Sequence, residues 1–232
     1  MAREILNLRD IRETEEEIFR IHQEKLPGHT VELINSLSTT YWCFLNAFDG
    51  ADFDGHLSDN DAVICCVAGC HYDKDMGLLA LLRGHRTDAA LYTRRAMEYA
   101  AFGIHILRST IEDKNPDTPS KPSTVYLNSM KSKTAYKRYR SDFQVMPALA
   151  KVEGVLSSKF TAQYEELCNE AHASFESLSL RFEKKEDGGY NICYYEIKGD
   201  DRIEKVMLRL VQLVEIHLMI INCFFESARA CH

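Results

Sequence analysis

The stretch LYTRRAMEYAAFGIH, residues 91–105, decides the fold. It holds Arg94, Arg95, Glu98 and His105 among alanines, aromatic residues and a methionine, with no turn signal nearby. On a helix, its apolar side chains cover nearly every side, which is typical of a helix buried at the centre of a bundle. An isolated buried ion costs several kcal/mol, but Arg94 and Glu98 are four residues apart and can pair. The stretch therefore predicts a central helix with an internal ion pair.

Capping residues, glycine breaks and apolar spacing predict helices on both sides of this stretch. The main predicted helices cover about 11–26, 30–48, 58–83, 87–108 and 158–177, with a last long helix from about 201 and shorter segments at 123–140 and 147–156. Thr30 is placed to cap the second helix. Ser58 begins SDND, the Ser-x-x-Asp form of a capping box, and Gly84 breaks the third helix before the central one begins.

One segment has a different period. Residues 178–197, LSLRFEKKEDGGYNICYYEI, alternate apolar and polar side chains around Asp-Gly-Gly, which predicts a β-hairpin. The sequence thus predicts an all-α fold, a bundle of about six to seven helices with one β-hairpin before the last long helix. We expect a single domain over 1–232, with N-terminal helices in 1–57 and the main bundle in 58–230.

Composition favours a cytoplasmic protein. The formal net charge of -7 argues against sequence-independent coating of DNA. The N-terminus lacks the apolar core of a secretory signal. The most apolar run, residues 206–225, includes Arg209, Glu215 and His217, which would be costly in lipid, so we expect no membrane association. Eight cysteines without regular spacing are expected to stay thiols.

Two segments raise the question of a metal. CCVAGCH, residues 65–71, is a dense thiol group, but a structural zinc site usually draws on a second ligand pair, which is absent from the sequence. FDGADFDGHLSDND, residues 48–61, is similar to a calcium loop, yet Asp49 stands one residue too early and Asp61 replaces the bidentate glutamate. We expect no metal and no cofactor, with buried thiols and an acidic connection as the favoured interpretations. Cys43, in an apolar periodic segment, is expected to pack as a small hydrophobe.

The candidate site combines Arg94 and Glu98 with His172. His172 lies in YEELCNEAHASFESL at the edge of an apolar helical stripe, and it could face the ion pair across a polar cleft. Ionisable groups inside folds are enriched at active sites, although structural networks have the same sequence signature. The alternatives are a catalytic cluster and an ion pair that only fixes helix packing.

A second candidate site is a basic segment. In MKSKTAYKRYRSDF, residues 130–143, five cations alternate with tyrosines: Lys131, Lys133, Lys137, Arg138 and Arg140. Cations that meet phosphates beside rings that stack on bases are typical of single-stranded nucleic-acid binding. The alternative is a solvated helix face that balances an acidic protein.

Three features carry a resemblance to known proteins: the segment LLALLRGHRTDAALYTRRAMEYAAF with its Arg-x3-Glu, the segment YEELCNEAHASFESL, and the last helix. In their order along the chain they resemble uncharacterised bacterial helical proteins and, more distantly, HEPN-type bundles. That resemblance implies a bacterial protein and, for many HEPN-type proteins, a ribonuclease of toxin or phage-defence systems. Those enzymes use an arginine and a histidine separated by four to six intervening residues. No such pair occurs here, and the nearest spacing is Arg209-x7-His217.

Two functions are therefore expected as alternatives. The first is a non-catalytic accessory or interaction protein of the bacterial cytoplasm, with a partner protein or a second copy of itself. A homodimer is favoured because Leu208, Ile216, Met219 and Ile220 fall off the main apolar stripe of the last helix. The second is a divergent HEPN-like enzyme that processes RNA.

Overall fold

A computed structural model describes residues 8–47, 59–112, 155–171, 182–184, 186, 188–192 and 203–229. These ranges contain six helices: α1 (Leu8–Glu24), α2 (Gly28–Ala47), α3 (Asp59–Leu82), α4 (Arg86–Glu112), α5 (Val155–Ala171) and α6 (Ile203–Arg229). The all-α bundle is thereby confirmed. A seventh helix has no support within these ranges, and the predicted helix over 123–140 lies outside them.

Two short strands lie within the segment predicted as a hairpin. β1 (Phe182–Lys184) pairs antiparallel with β2 (Tyr190–Ile192), with Phe182 opposite Ile192 and Lys184 opposite Tyr190. Gly188, between them, has a φ of 83°, a left-handed conformation that glycine adopts without steric strain. The rest of 178–197 lies almost entirely outside the described residues.

The turn between α3 and α4 follows from the glycine break. Gly84 has a φ of 89°. The Gly84 N–H donates to the Leu81 carbonyl at 3.0 Å and the His85 N–H to the Ala80 carbonyl at 2.9 Å. This pair of bonds is a Schellman motif, in which a left-handed glycine satisfies the last carbonyls of a helix. The chain can then reverse, so that α3 and α4 run antiparallel.

The start of α2 differs from the prediction. Thr30 was expected to cap this helix, but it lies buried inside the first turn. The Pro27 carbonyl accepts the N–H groups of Thr30 at 2.9 Å and Val31 at 3.3 Å. Pro27 therefore takes the position from which the helix begins, since its carbonyl already accepts the first helical bonds.

α4 is the central helix, as predicted. It packs against α3, α5 and α6, whereas α6 also contacts α2 and α3. Its buried residues cover several sides, and Ala96, Met97, Ala100, Ala101 and Ile106 are all fully buried. The helix extends to Glu112, four residues beyond the predicted end. α5 begins at Val155, so the boundary predicted between 156 and 158 is wrong.

α3 and α4 approach each other closely at glycines. A Cβ on Gly69 would lie 2.9 Å from the Tyr99 ring, and one on Gly103 would lie 2.8 Å from Cys66 Cβ and 2.9 Å from Phe224 Cε1. A Cβ on Gly77 would meet Thr93 Oγ1 at 3.3 Å. The absence of a side chain at these positions therefore sets the distance between the two helices.

α6 buries more of its surface than one apolar stripe. Ile216 and Ile220 were expected to fall off the buried side, but they are 3% and 0% exposed because α6 packs against three other helices. Met219 is half-buried, and Leu208 remains 62% exposed. α6 is long and apolar enough to span a membrane by length and composition alone, a property that buried core helices share, and 56% of its most apolar window is buried.

One cysteine expectation is also wrong. Cys43 is exposed, because α2 turns that side away from α3 and α6. Cys66, Cys70 and Cys223 are buried and outside any disulfide, and Cys168 is half-buried.

The close approach at Gly103 makes a prediction about stability. We expect Gly103→Ala to lower the free energy of unfolding by about 1–2 kcal/mol, because overpacking against Cys66 and Phe224 exceeds the gain in helix propensity. Urea denaturation followed by circular dichroism measures this change. Gly28→Ala is the matched control, because a Cβ there meets nothing within 4 Å, and it should cause no loss. Equal stability of the two variants would contradict the tight contact.

Candidate functional site

The predicted ion pair lies at the contact between α4 and α5. Arg94 Nε is 3.2 Å from Glu98 Oε1, and the Tyr164 hydroxyl donates a hydrogen bond of 2.9 Å to the same oxygen. The side chains of Arg94 and Glu98 are 20% and 32% exposed, so the pair is half-buried and reaches solvent. Burial and the neighbouring Glu98 carboxylate raise the pKa of Tyr164, which keeps this hydroxyl protonated.

The other predicted site residues lie outside the described residues. These are His172, which follows the last described residue of α5, and the five cations Lys131, Lys133, Lys137, Arg138 and Arg140. The structure thus brings together Arg94 and Glu98 and adds Tyr164, which the sequence analysis did not anticipate.

An ion pair with a fully buried carboxylate joins α3 to α4. The Asp73 side chain is 0% exposed, and its two carboxylate oxygens accept bonds from Arg95 Nε at 2.7 Å and from Arg95 Nη2. Arg95 also lies 5.2 Å above the centre of the Tyr92 ring. The contact with Asp73 raises the pKa of Arg95, so the guanidinium stays charged. The Arg95 side chain is 43% exposed, so this bidentate pair neutralises a fully buried carboxylate with a cation that reaches solvent.

A third network ties α5 to α4 and α6. The Glu170 carboxylate accepts bonds from Arg86 at the start of α4 and from Arg209 on α6. The Arg209 side chain is 6% exposed, and Nη1 also donates to Gln212 at 3.0 Å and to Glu166 at 3.3 Å. One carboxylate therefore lies between two guanidinium groups and links three helices.

A fourth polar group fills the contact between α2 and α3. Lys74 has a side chain that is 0% exposed, and its Nζ donates to Ser38 Oγ and lies 2.8 Å from Asp75 Oδ1. Asp75 Oδ2 lies 3.4 Å from His71 Nδ1 without hydrogen-bond geometry. The His71 ring stacks on Tyr41, with centroids 5.4 Å apart. The buried Lys74 ammonium group is thus paired with the carboxylate of Asp75, whose side chain is 57% exposed.

The innermost member of this group is His217 of α6. Its Nδ1 lies 3.2 Å from the Tyr41 hydroxyl, and its buried Nε2 has no hydrogen-bond partner. Burial, Lys74 and His71 lower the pKa of His217 to about 3. The imidazole is therefore neutral at physiological pH and has no path to solvent, being 1% exposed.

The buried thiols are in environments that suppress reactivity. Burial raises the pKa of Cys66 to about 12 and that of Cys70 well above its usual value. Cys70 Sγ lies 3.2 Å from the Ala96 carbonyl. Since the thiolate is the reactive form, these cysteines act as packing groups. Within the described ranges, no three potential metal ligands come together.

A groove of about 700 Å³ lies between α5 and α6. Its lining includes the apolar residues Ile216 and Met219, one cation, Lys159, and two carboxylates, Glu215 and Glu226. Neither Arg94 nor Glu98 lines it. The groove is thus separate from the predicted cluster.

Two of the missed residues had a detectable signal. Asp73 follows Cys66 and Cys70 and precedes Gly77 at helical spacing, so the stripe that buries the cysteines also carries the carboxylate. Arg209 is three residues from Val206 and four from Leu213, so it shares a side of α6 with two buried apolar residues. By contrast, the partner of each depends on how the helices are aligned, which local spacing does not encode.

Comparisons with models of known protein families, with curated proteins and with solved structures find no match for this chain.

The two adjacent arginines of α4 provide a matched pair of variants. We expect Arg95→Met to lower the free energy of unfolding by about 3 kcal/mol, because it leaves Asp73 buried without its charge partner. Arg94→Met should lower it by about 1 kcal/mol or less, because Glu98 is in contact with water. Urea denaturation at neutral pH measures both. A larger loss for Arg94→Met would contradict this assignment.

His217 makes a prediction about pH. Its folded pKa of about 3 lies below its ordinary value of 6.5. Below pH 6.5, the unfolded chain therefore binds a proton at His217 that the folded chain does not bind. The stabilisation is complete above pH 6.5 and is lost as the pH falls towards 3, by about 1.4 kcal/mol per pH unit. His217→Asn keeps an acceptor for the Tyr41 hydroxyl but does not titrate.

Urea denaturation at several pH values tests this prediction. Between pH 6.5 and 5, the wild type should lose about 2 kcal/mol more than the His217→Asn variant. Tyr41 on α2 and His71 and Lys74 on α3 face the imidazole in both proteins, so the difference isolates His217. Parallel profiles would contradict the low pKa.

Proposed function

We propose that this chain is a non-catalytic interaction protein of the bacterial cytoplasm, whose helical bundle serves as a scaffold for protein contacts. The observation that carries the proposal is the neutralisation of two buried carboxylates by arginines of neighbouring helices. Asp73 binds Arg95, and Glu170 lies between Arg86 and Arg209. Buried carboxylates engaged in this way hold helices together and are not free to bind a substrate.

The protonation states support the same conclusion. A general base needs a pKa near the working pH and access to its substrate. His217 has a pKa of about 3 and is buried, the pKa of Cys66 is raised to about 12, and the pKa of Tyr164 is also raised. None of these groups is poised to accept or donate a proton at neutral pH.

The cytoplasmic location is supported by the thiols. None of the six cysteines in the described part of the chain is in a disulfide. Unpaired thiols are typical of proteins in reducing compartments.

One feature favours the second candidate, a HEPN-like enzyme that processes RNA. Arg94 and Glu98 form a charged pair that reaches solvent, and Tyr164 supplies a third polar group beside it. In this candidate, His172 completes the cluster, and Lys131, Lys133, Lys137, Arg138 and Arg140 bind the RNA backbone.

An RNA-cleavage assay separates the two candidates. Purified protein is incubated with a mixed RNA pool, beside the Glu98→Gln and His172→Ala variants. Glu98→Gln keeps an oxygen that can accept the Tyr164 hydrogen bond but removes the charge. We expect no cleavage by any of the three proteins. Cleavage by the wild type that both variants lose would establish the enzyme and overturn the non-catalytic function.

A further inference from the structure

The outer face of α2 carries no charged residue after Glu32. Residues 33–47, LINSLSTTYWCFLNA, include no Asp, Glu, Lys, Arg or His, although 27% of the chain is Asp, Glu, Lys or Arg. A stretch of this length would carry about four such residues at the average composition. The exposed positions in it are Leu33, Asn35, Ser36, Thr39, Trp42, Cys43, Asn46 and Ala47. A helix face that only contacts water in an acidic protein would not be expected to lack charged residues over this length.

Trp42 is a fixed and exposed aromatic group on this face. It is 56% exposed, and its ring meets His71 edge-on, with centroids 5.4 Å apart and an interplanar angle of 84°. His71 is in turn stacked on the buried Tyr41. The indole is therefore held in place before any partner arrives. Rigid tryptophans in surroundings depleted of charge are typical of the centres of protein interfaces.

We propose that the outer face of α2 is a homodimer interface, in which α2 packs antiparallel on the partner's α2 around a two-fold axis near Thr39. This inference rests on the proposed function as an interaction protein. It replaces the last helix as the dimer surface, because Ile216 and Ile220 are buried within the bundle.

Charge favours a second copy as the occupant. Each chain has a formal charge of -7, so two copies repel each other over most orientations. A two-fold interface pairs a surface with the same surface of the other copy. Two copies therefore avoid repulsion between like charges at the contact when that surface is uncharged. A partner recognised through its own charge would find no complementary group between residues 33 and 47.

The spacing on α2 supports the antiparallel arrangement. Glu32, Asn35, Thr39, Trp42 and Asn46 are all exposed and recur at intervals of three and four residues, so they share one side of the helix. With the axis at Thr39, Trp42 lies over the partner's Ser36. Asn46 lies opposite the partner's Glu32, to which its amide can donate. No like charges meet.

The contact is expected to be small. A helix of 20 residues is about 30 Å long, so a pair of such helices gives an interface at the lower end of the usual size range. Dimerisation should therefore depend on concentration in the micromolar range.

Charge insertion tests the interface. Thr39→Glu places two carboxylates together at the axis, and Leu208→Glu makes a similar change on the exposed side of α6. Sedimentation velocity up to about 100 µM should show a dimer for the wild type and Leu208→Glu. Thr39→Glu should weaken dimerisation by about tenfold or more. A wild-type monomer, or dissociation by Leu208→Glu and not by Thr39→Glu, would overturn the proposal.

Disulfide trapping tests the position of the axis. Under mild oxidation, Thr39→Cys should form a disulfide-linked dimer well above the wild-type level, because residues at a two-fold axis come within bridging distance. Leu208→Cys should stay at the wild-type level. Native Cys43 should not bridge to its own copy, since the two would be about 12 Å apart along the helices. Equal trapping at positions 39 and 208 would overturn the arrangement. Both tests measure assembly, whereas the RNA-cleavage assay tests the proposed non-catalytic function. A failure of the dimer proposal can therefore be distinguished from a failure of the proposed function.

Discussion

The fold depends on one ion pair, in which the half-exposed Arg95 neutralises the fully buried Asp73. A carboxylate that is 0% exposed has lost its hydration, and only a well-aligned cation can offset that loss. Arg95 supplies two parallel hydrogen bonds from the neighbouring helix, a geometry that fixes orientation as well as charge. The pair therefore specifies how α3 and α4 are aligned, in addition to holding them together.

The remaining structure follows from this alignment. Glycines at 69, 77 and 103 bring α3 and α4 together, and α4 then presents Arg86 to Glu170 of α5. Glu170 in turn binds Arg209 of α6. Because the charges inside the bundle are matched in this way, the chemistry available to ligands moves to its outside. Among the described residues, the half-buried Arg94 and Glu98 pair, the groove between α5 and α6, and the face of α2 after Glu32 are features that a partner could meet.

The sequence predicted the architecture better than the contacts. The Ser58 capping box and Gly84 predicted the limits of α3, and the apolar surroundings of Arg94 predicted that α4 is central. Spacing of four residues also predicted Arg94 with Glu98, but it could not predict Arg95 with Asp73, because that partner depends on packing between helices. The prediction that Cys43 packs inside the bundle and the prediction that Ile216 lies off the buried side were wrong for the same reason. How many sides of a helix are covered depends on its number of neighbours.

A double-mutant cycle on Asp73 and Arg95 tests the central role of this pair most directly. The free energies of unfolding of Asp73→Leu, Arg95→Met and the double variant are compared with that of the wild type by urea denaturation. We predict that the double variant is more stable than the sum of the two single losses implies, by about 2–3 kcal/mol. Additive losses would show that the two residues do not stabilise the fold as a pair.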